Sequence, residues 1–350
     1  MKNTKKQLLE IYKEIEIRIT KIDFDNLYKG FSVYDFALYN EKYVVLKDRI
    51  IPYDSRFVGN TSIEFEGKII AIWRIDSIYI HYNVLASKIV HEMFHAFQMS
   101  FSEKRFPNEF QGLFYHYEKY NISMKFDETK FLLMAYDNDD LSALRKFVSL
   151  REKRRRDYEI EINFEEGIET IEGMAKYIEL KALQTLDIEE YEKAYDKLKE
   201  EIKNIKNYLP IRSVSYSIGA LIIMTAERFK KPIYHLIGEE DKNIYHLYFD
   251  ETEHLEFYYE HSYNDLQFLE NYYQGILSRI SMIFSSNPKV YECDQVIGFD
   301  PMNSYKVEKY IYYRHFVMIR SQGKDVFIRN ESIGELNEDN QVYIIYEINR

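Results

Sequence analysis

The chain has 350 residues, 46% hydrophobic and 30% charged, with only 12 Gly and 6 Pro. That is a globular composition, long enough for two or three structural regions around at least one sizeable core. A net charge of −11 and a pI near 5.5 argue against a nucleic-acid partner, whose phosphates favour a basic face.

The 33 Tyr and 23 Phe are read partly as drift toward AT-rich codons and not as a binding signal. The single cysteine, Cys293, excludes an intramolecular disulfide and suits a reducing compartment. The N-terminal run MKNTKKQLLEIYKEIEIRI is too charged for a signal-peptide core, and the longest apolar stretch, GALIIMTA at 219–226, falls short of a membrane span. A soluble, cytoplasmic protein without membrane association is expected.

In chain order, residues 5–22 read as an amphipathic helix with Leu8, Leu9, Ile11, Ile15 and Ile19 toward one side. From 41 to 80 the runs YVVLK, TSIEF and KIIAIWRI read as strands of a small sheet, with Glu66-Gly67 as a hairpin turn. Asn83 is the expected N-cap of a helix through VLASKIVHEMFHAFQMSF. No Gly or Pro lies between 84 and 106, so this helix is expected to run until Pro107 stops it.

The pattern then stays mostly helical to about 285. The basic run REKRRR at 151–156, followed by Asp157 and Glu159, reads as a solvated helix surface. NFEEGIETIEGMAKYIELKALQTL, from near Asn163, and SVSYSIGALIIMTAERF are the clearest further helices. After Pro288, KYIYYRHFVMIR, DVFIR and VYIIYEI read as strands. The expected class is α+β and mainly helical. Residues 1–83 form a helix plus small β-sheet, 84–285 a helical region with the motif helix, and 286–350 a small β-rich domain.

Within HEMFHAFQ, His91 to His95 fit H-E-x-x-H. Residues four apart stack on one helix face, so His91 and His95 can aim their imidazoles at one ion. Glu92 lies one step round the helix, off-axis for ligation but placed to take a proton from a water at the metal. Catalytic zinc needs a third protein ligand. The metzincin third histidine is absent, because position 98 is Gln and 101 is Phe.

Glu118 is one candidate, and Glu172 in IEGMAKYIE is the better one. Its helix has an apolar stripe of Ile168, Ile171, Ala175, Ile178 and Ala182, and Gly173 next to it lets another backbone approach. Glu165 and Glu179 lie two turns before and after, and one of them could accept the second N–H of a ligand histidine.

HEMFHAFQ followed by EGMAKYIE resembles the gluzincin metallopeptidases, the peptidase MA-like group, where a second helix supplies a glutamate in a pattern similar to E-G-x-A-x-Y. The resemblance covers the two helices, and residues 60–230 in outline. It implies a zinc metallopeptidase acting on a peptide or protein substrate, with His91, His95 and Glu172 as ligands and Glu92 as general base.

The chain departs from the best-known members. Residues 96–171 separate His95 from Glu172, where those members have roughly twenty. The E-x-x-x-D pattern of the thermolysin-like members is not found at Glu172, where position 176 is Lys, no G-x-M-E-N strand occurs, and the β-rich tail has no counterpart.

An oxyanion donor is also needed. IRSVSYSIGALI offers Arg212 and Tyr216, with Gly219 allowing close packing one turn on. Tyr216 is similar in position to the later-helix Tyr or His of gluzincins, and His235 is a second choice. His81, His116, His246, His254, His261 and His315 lack metal-ligand spacing.

The resemblance further implies that substrate pairs with the sheet edge, either NTSIEF or KIIAIW, with Trp73 read as core. Two alternative readings are a non-enzymatic scaffold that binds a partner through its β tail and a zinc hydrolase of a non-peptide amide.

Overall fold

The computed structural model describes residues 4–77, 80–231, 237–249 and 255–349. It has the mixed α+β, mainly helical character expected, with one sheet toward the start of the sequence, two toward its end and most of the helices between. The three segments expected along the chain are divisions of texture. In space the chain gathers into two compact units that interleave in sequence. The first comprises 1–106, 169–200 and 216–248; the second comprises 107–168, 201–215 and 249–350.

The first unit opens with α1 (Lys5–Ile19), held at its start by a capping box between Thr4 and Gln7. Leu8, Ile11, Ile15 and Ile19 are buried as the periodicity predicts, and Leu9 is only half-buried. A single turn, α2 (Phe24–Leu27), leads to five strands: β1 (Phe36–Tyr39), β2 (Tyr43–Val45), β3 (Ile50–Pro52), β4 (Thr61–Phe65) and β5 (Lys68–Arg74). Their order is β3-β2-β1-β5-β4, with β1 parallel to β5 and the other pairs antiparallel.

Glu66 and Gly67 both have positive φ, at 52° and 76°, which gives the tight β4–β5 hairpin the twist its strands need. The KIIAIW strand is therefore internal, paired on both sides. NTSIEF forms one of the two edge strands, opposite β3. Ala37, Tyr39, Val44, Phe57, Phe65, Ile70 and Ile72 form a core against one face.

The motif helix α3 (Tyr82–Ser100) packs on β4, β5 and α1. Its N-cap is His81 and not Asn83, because the Asn83 amide is engaged elsewhere: it accepts from Arg18 Nε at 2.9 Å and donates to Asp187 Oδ2 at 2.9 Å. Nor does α3 reach Pro107. It ends at Ser100, where Ser102 turns left-handed (φ 53°). The Glu103 N–H then closes on the Gln98 carbonyl and the Ser102 N–H on the Met99 carbonyl. This terminal pair is normally built on glycine, so a serine there leaves no compositional trace.

The second unit contains α4 (Glu109–Gly112), α5 (Lys119–Asn138), α6 (Leu141–Asp157) and the first turns of α7 (Glu159–Leu186). α7 begins at Glu159, four residues before the expected Asn163. The later segments of α7, most of α8 (Ile188–Ile202), most of α9 (Ile211–Arg228) and α10 (Ile244–Tyr248) belong to the first unit. α11 (Tyr263–Ser285) and eight strands complete the second.

These strands are β6 (Lys289–Glu292), β7 (Gln295–Phe299), β8 (Ser304–Val307), β9 (Tyr310–Tyr313), β10 (Val317–Ser321), β11 (Lys324–Ile328), β12 (Ser332–Leu336) and β13 (Val342–Glu347). They form one sheet in the order β11-β10-β7 and another in the order β6-β13-β12-β9-β8. KYIYYRHFVMIR is thus two strands in different sheets. No described helix is long and apolar enough to cross a membrane.

The basic run 151–156 is not a solvated face. Arg151 and Arg154 are wholly buried, together with Lys125, Glu128 and Glu165, and Glu166 is 1% exposed. Arg154 Nη2 lies 2.6 Å from Glu165 Oε1 and its Nη1 3.0 Å from Glu128 Oε2. Arg151 Nη2 is 2.7 Å from Glu128 Oε1, and Lys125 Nζ is 2.9 Å from Glu165 Oε2. Tyr115 Oη donates to Glu165 Oε1 at 2.6 Å. Only Lys153 and Arg156 of the run are exposed, and Arg155 is half-buried. Sequence periodicity distinguishes an apolar face from a polar one, so it cannot announce a polar interior.

Removing one partner of such a network strands a buried charge, at a cost of about 3–5 kcal/mol. Arg154→Met should lower unfolding free energy by that amount in urea titrations followed by circular dichroism. Burial pushes the Glu165 and Glu128 carboxyls up, but Arg154, Arg151 and Lys125 outweigh it and hold both below the ordinary carboxylate value of 4.5. Their stabilisation is present above that value and is lost as pH falls through the lowered ones. Stability should therefore drop steeply below about pH 4.5, with a shallower slope in Arg154→Met. Equal slopes would show that other groups set the acid limit.

Candidate metal centre

α3 and α7 bring the expected ligands together. His95 Nε2 lies 3.1 Å from His91 Nε2 and 3.1 Å from Glu172 Oε2, and His91 Nε2 is 3.7 Å from that oxygen. Among the described residues this is the one His/Cys/Asp/Glu group whose donor atoms converge in this way.

The spacing fits a single ion. Donors bonded at about 2.0–2.1 Å around a tetrahedral zinc stand about 3.3 Å from one another. Two imidazoles and a carboxylate are also a donor set that suits zinc. The three side chains are 10–14% exposed, enough to leave the cluster open to a small reactant.

Neighbouring groups orient the donors. His91 Nδ1 lies 3.2 Å from Glu179 Oε2, near in distance but poorly aligned for a straight hydrogen bond. Glu179 is therefore the one of the two flanking glutamates that reaches a histidine, and Lys176 Nζ, 2.7 Å from its Oε1, shares it. Glu165 belongs instead to the ionic network of the second unit. On His95 the partner is Gln98, whose Oε1 stands 2.8 Å from Nδ1.

In the sequence Gln98 stands out only as the absence of a histidine. Its one available signal was the i,i+3 spacing from His95, which puts both on one side of α3.

Electrostatics follow from enclosure. Burial works against a charged His91, but Glu172 and Glu179 outweigh it and raise its pKa to about 10. Glu172 is likewise opposed by burial, yet His95 and His91 hold it well below the usual carboxylate range. Glu92 is 7% exposed, and its carboxylate takes no hydrogen bond or ion pair from the described residues. Burial lifts its pKa, with His91 and His95 pulling the other way.

The two glycines singled out in sequence meet each other. A Cβ on Gly173 would stand 2.5 Å from Gly219 Cα, and one on Gly219 would overlap the Glu169 carbonyl oxygen. α9 thus crosses α7 in backbone contact beside Glu172. Tyr216 stands half-buried on α9, three residues before that crossing.

The remaining candidates lie elsewhere. Glu118 caps α5 through the N–H groups of Tyr120 and Asn121 and accepts from Tyr158 Oη. Arg212 Nη1 lies 2.6 Å from Glu109 Oε1. Glu118, Glu165 and Arg212 all belong to the second unit. His235 and His254 lie outside the described residues. No family model matches the chain, and neither a curated protein nor a solved structure does.

The α7–α9 contact gives a substitution test with an internal control. Gly219→Ala should destabilise the protein by about 1–3 kcal/mol and displace the helix that carries Glu172. Gly275→Ala on α11, where a Cβ meets nothing, should be neutral or stabilising by up to about 1 kcal/mol. Thermal denaturation checks both. A harmless Gly219→Ala would mean that the crossing tolerates a methyl group.

Proposed function

We propose that this chain is a zinc-dependent hydrolase of peptide bonds, and that His91, His95 and Glu172 hold the metal. The observation that carries the reading is the convergence of three donors at zinc-ligand spacing, with an uncommitted buried carboxylate, Glu92, next to them on α3. Zinc in such a site would act as a Lewis acid and lower the pKa of a water, supplying a nucleophile near neutral pH.

The chain's own residues supply the rest. Glu92, with its pKa raised by burial, accepts the proton of the attacking water and passes it to the leaving amine. Gln98 orients the imidazole of His95, and the carboxylate of Glu179 faces the imidazole of His91. Tyr216, on the helix that crosses beside Glu172, is the candidate donor to the oxyanion.

Two further features favour a peptide over another amide. β4 is an edge strand, and on its outer side no described strand pairs with it. The Ser62 hydroxyl of β4 donates to the Glu92 carbonyl, which ties this edge to the motif. An extended chain added there gains main-chain hydrogen bonds whatever its side chains. The reading includes a reducing, cytoplasmic setting, in keeping with a lone cysteine, Cys293.

Metal content by mass spectrometry should give about one zinc per chain in wild type and in Glu92→Gln, with hydrolysis of a peptide library lost in Glu92→Gln and in the chelated wild type. Glu172→Ala should lose the metal, while Glu118→Ala should retain it with lower stability from the missing cap. The reverse ranking would assign the third ligand to the wrong helix. A protein that binds zinc and cleaves no peptide would favour a partner-binding scaffold or a non-peptide substrate.

A further inference from the structure

Gln98 is fully buried, and both ends of its amide are committed. Its Nε2 lies 3.3 Å from the carbonyl oxygen of Ile171. A backbone carbonyl only accepts, so the amide must turn its N–H₂ end that way. Oε1 then faces His95 Nδ1, at 2.8 Å. An amide oxygen also only accepts, so Nδ1 must carry the hydrogen, and Nε2 is the ring position left for a metal. One carbonyl in α7 thus fixes the amide, and the amide fixes the imidazole.

Ile171 is the residue before Glu172. The same side chain that selects the His95 ring position therefore also registers α3 against α7 at the third ligand. We propose that Gln98 is a positioning residue of the metal centre, holding His95 with Nδ1 protonated and aligning it with Glu172. The proposal rests on the metal reading above.

The choice of an amide has a physical reason. Glu92, Glu172 and Glu179 already surround the two imidazoles, and another buried carboxylate would raise the cost of the metal-free state. Gln98 gives His95 an acceptor without adding charge, where His91 faces the carboxylate of Glu179.

The test compares wild type, Gln98→Met (similar volume, no hydrogen bonds) and Gln98→Glu (acceptor retained) as full chains. Nitrogen NMR of selectively labelled histidines in the metal-free proteins at pH 9 should show an N–H-type Nδ1 on His95 in wild type and Gln98→Glu. In Gln98→Met the ring should revert to bare Nδ1 with Nε2–H facing Glu172. Zinc affinity by chelator competition should fall about 10- to 100-fold in Gln98→Met and by less in Gln98→Glu, which keeps the acceptor for Nδ1–H and loses the donor to Ile171.

A Gln98→Met protein that keeps both the Nδ1 signal and the affinity, losing only thermal stability, would reduce Gln98 to a packing residue and overturn the proposal. If wild type takes up no zinc, the metal reading fails separately. The NMR comparison then still decides whether Gln98 orients His95: a difference between wild type and Gln98→Met upholds that part, and identical spectra overturn it.

Discussion

A buried charge has to be neutralised where it sits, and α7 is built around that requirement. Five of its glutamates, Glu165, Glu166, Glu169, Glu172 and Glu179, are largely or wholly enclosed. Water cannot screen them, so each needs a cation or a set of donors within a few ångströms. The helix meets the requirement in two ways. Toward its start, arginine and lysine do it permanently, which makes a rigid ionic core. Two turns further on, imidazoles do it, and imidazoles can exchange a proton for a metal. The same chemical problem, solved with groups of different basicity, gives a structural cluster in one place and a candidate reactive one in the other.

Much of the second solution was legible in sequence, because it rests on helix spacing. The i,i+4 relation of His91 and His95 needs no tertiary knowledge, and Glu172 was favoured by its apolar stripe and its adjoining glycine. Gly173 and Gly219 were each read as a site of close backbone approach, and their meeting is what joins those two observations. The Glu66-Gly67 hairpin was readable for a similar reason, since its two positive φ values leave little choice of residue.

What was not legible shares a cause: polar groups engaged by partners far away in sequence. Asn83 has the chemistry of a cap, but Arg18 and Asp187 claim its amide. Arg151 and Arg154 sit in a run that looks solvated, yet their carboxylates come from α5 and α7. Gln98 is an ordinary helix residue until the Ile171 carbonyl is beside it. The end of α3 is illegible for another reason, since Ser102 adopts a conformation that sequence rules assign to glycine.

The glycine contact between α7 and α9 also bears on how this protein can drift. Each residue's missing side chain is filled by the other helix, so the two positions share one constraint. A replacement at either forces the helices apart, after which the second glycine no longer has a reason to stay small. Such a pair is epistatic: its members are free to change only together. A lineage that opened the crossing would also move Glu172, and would have to rebuild the donor cluster from other residues.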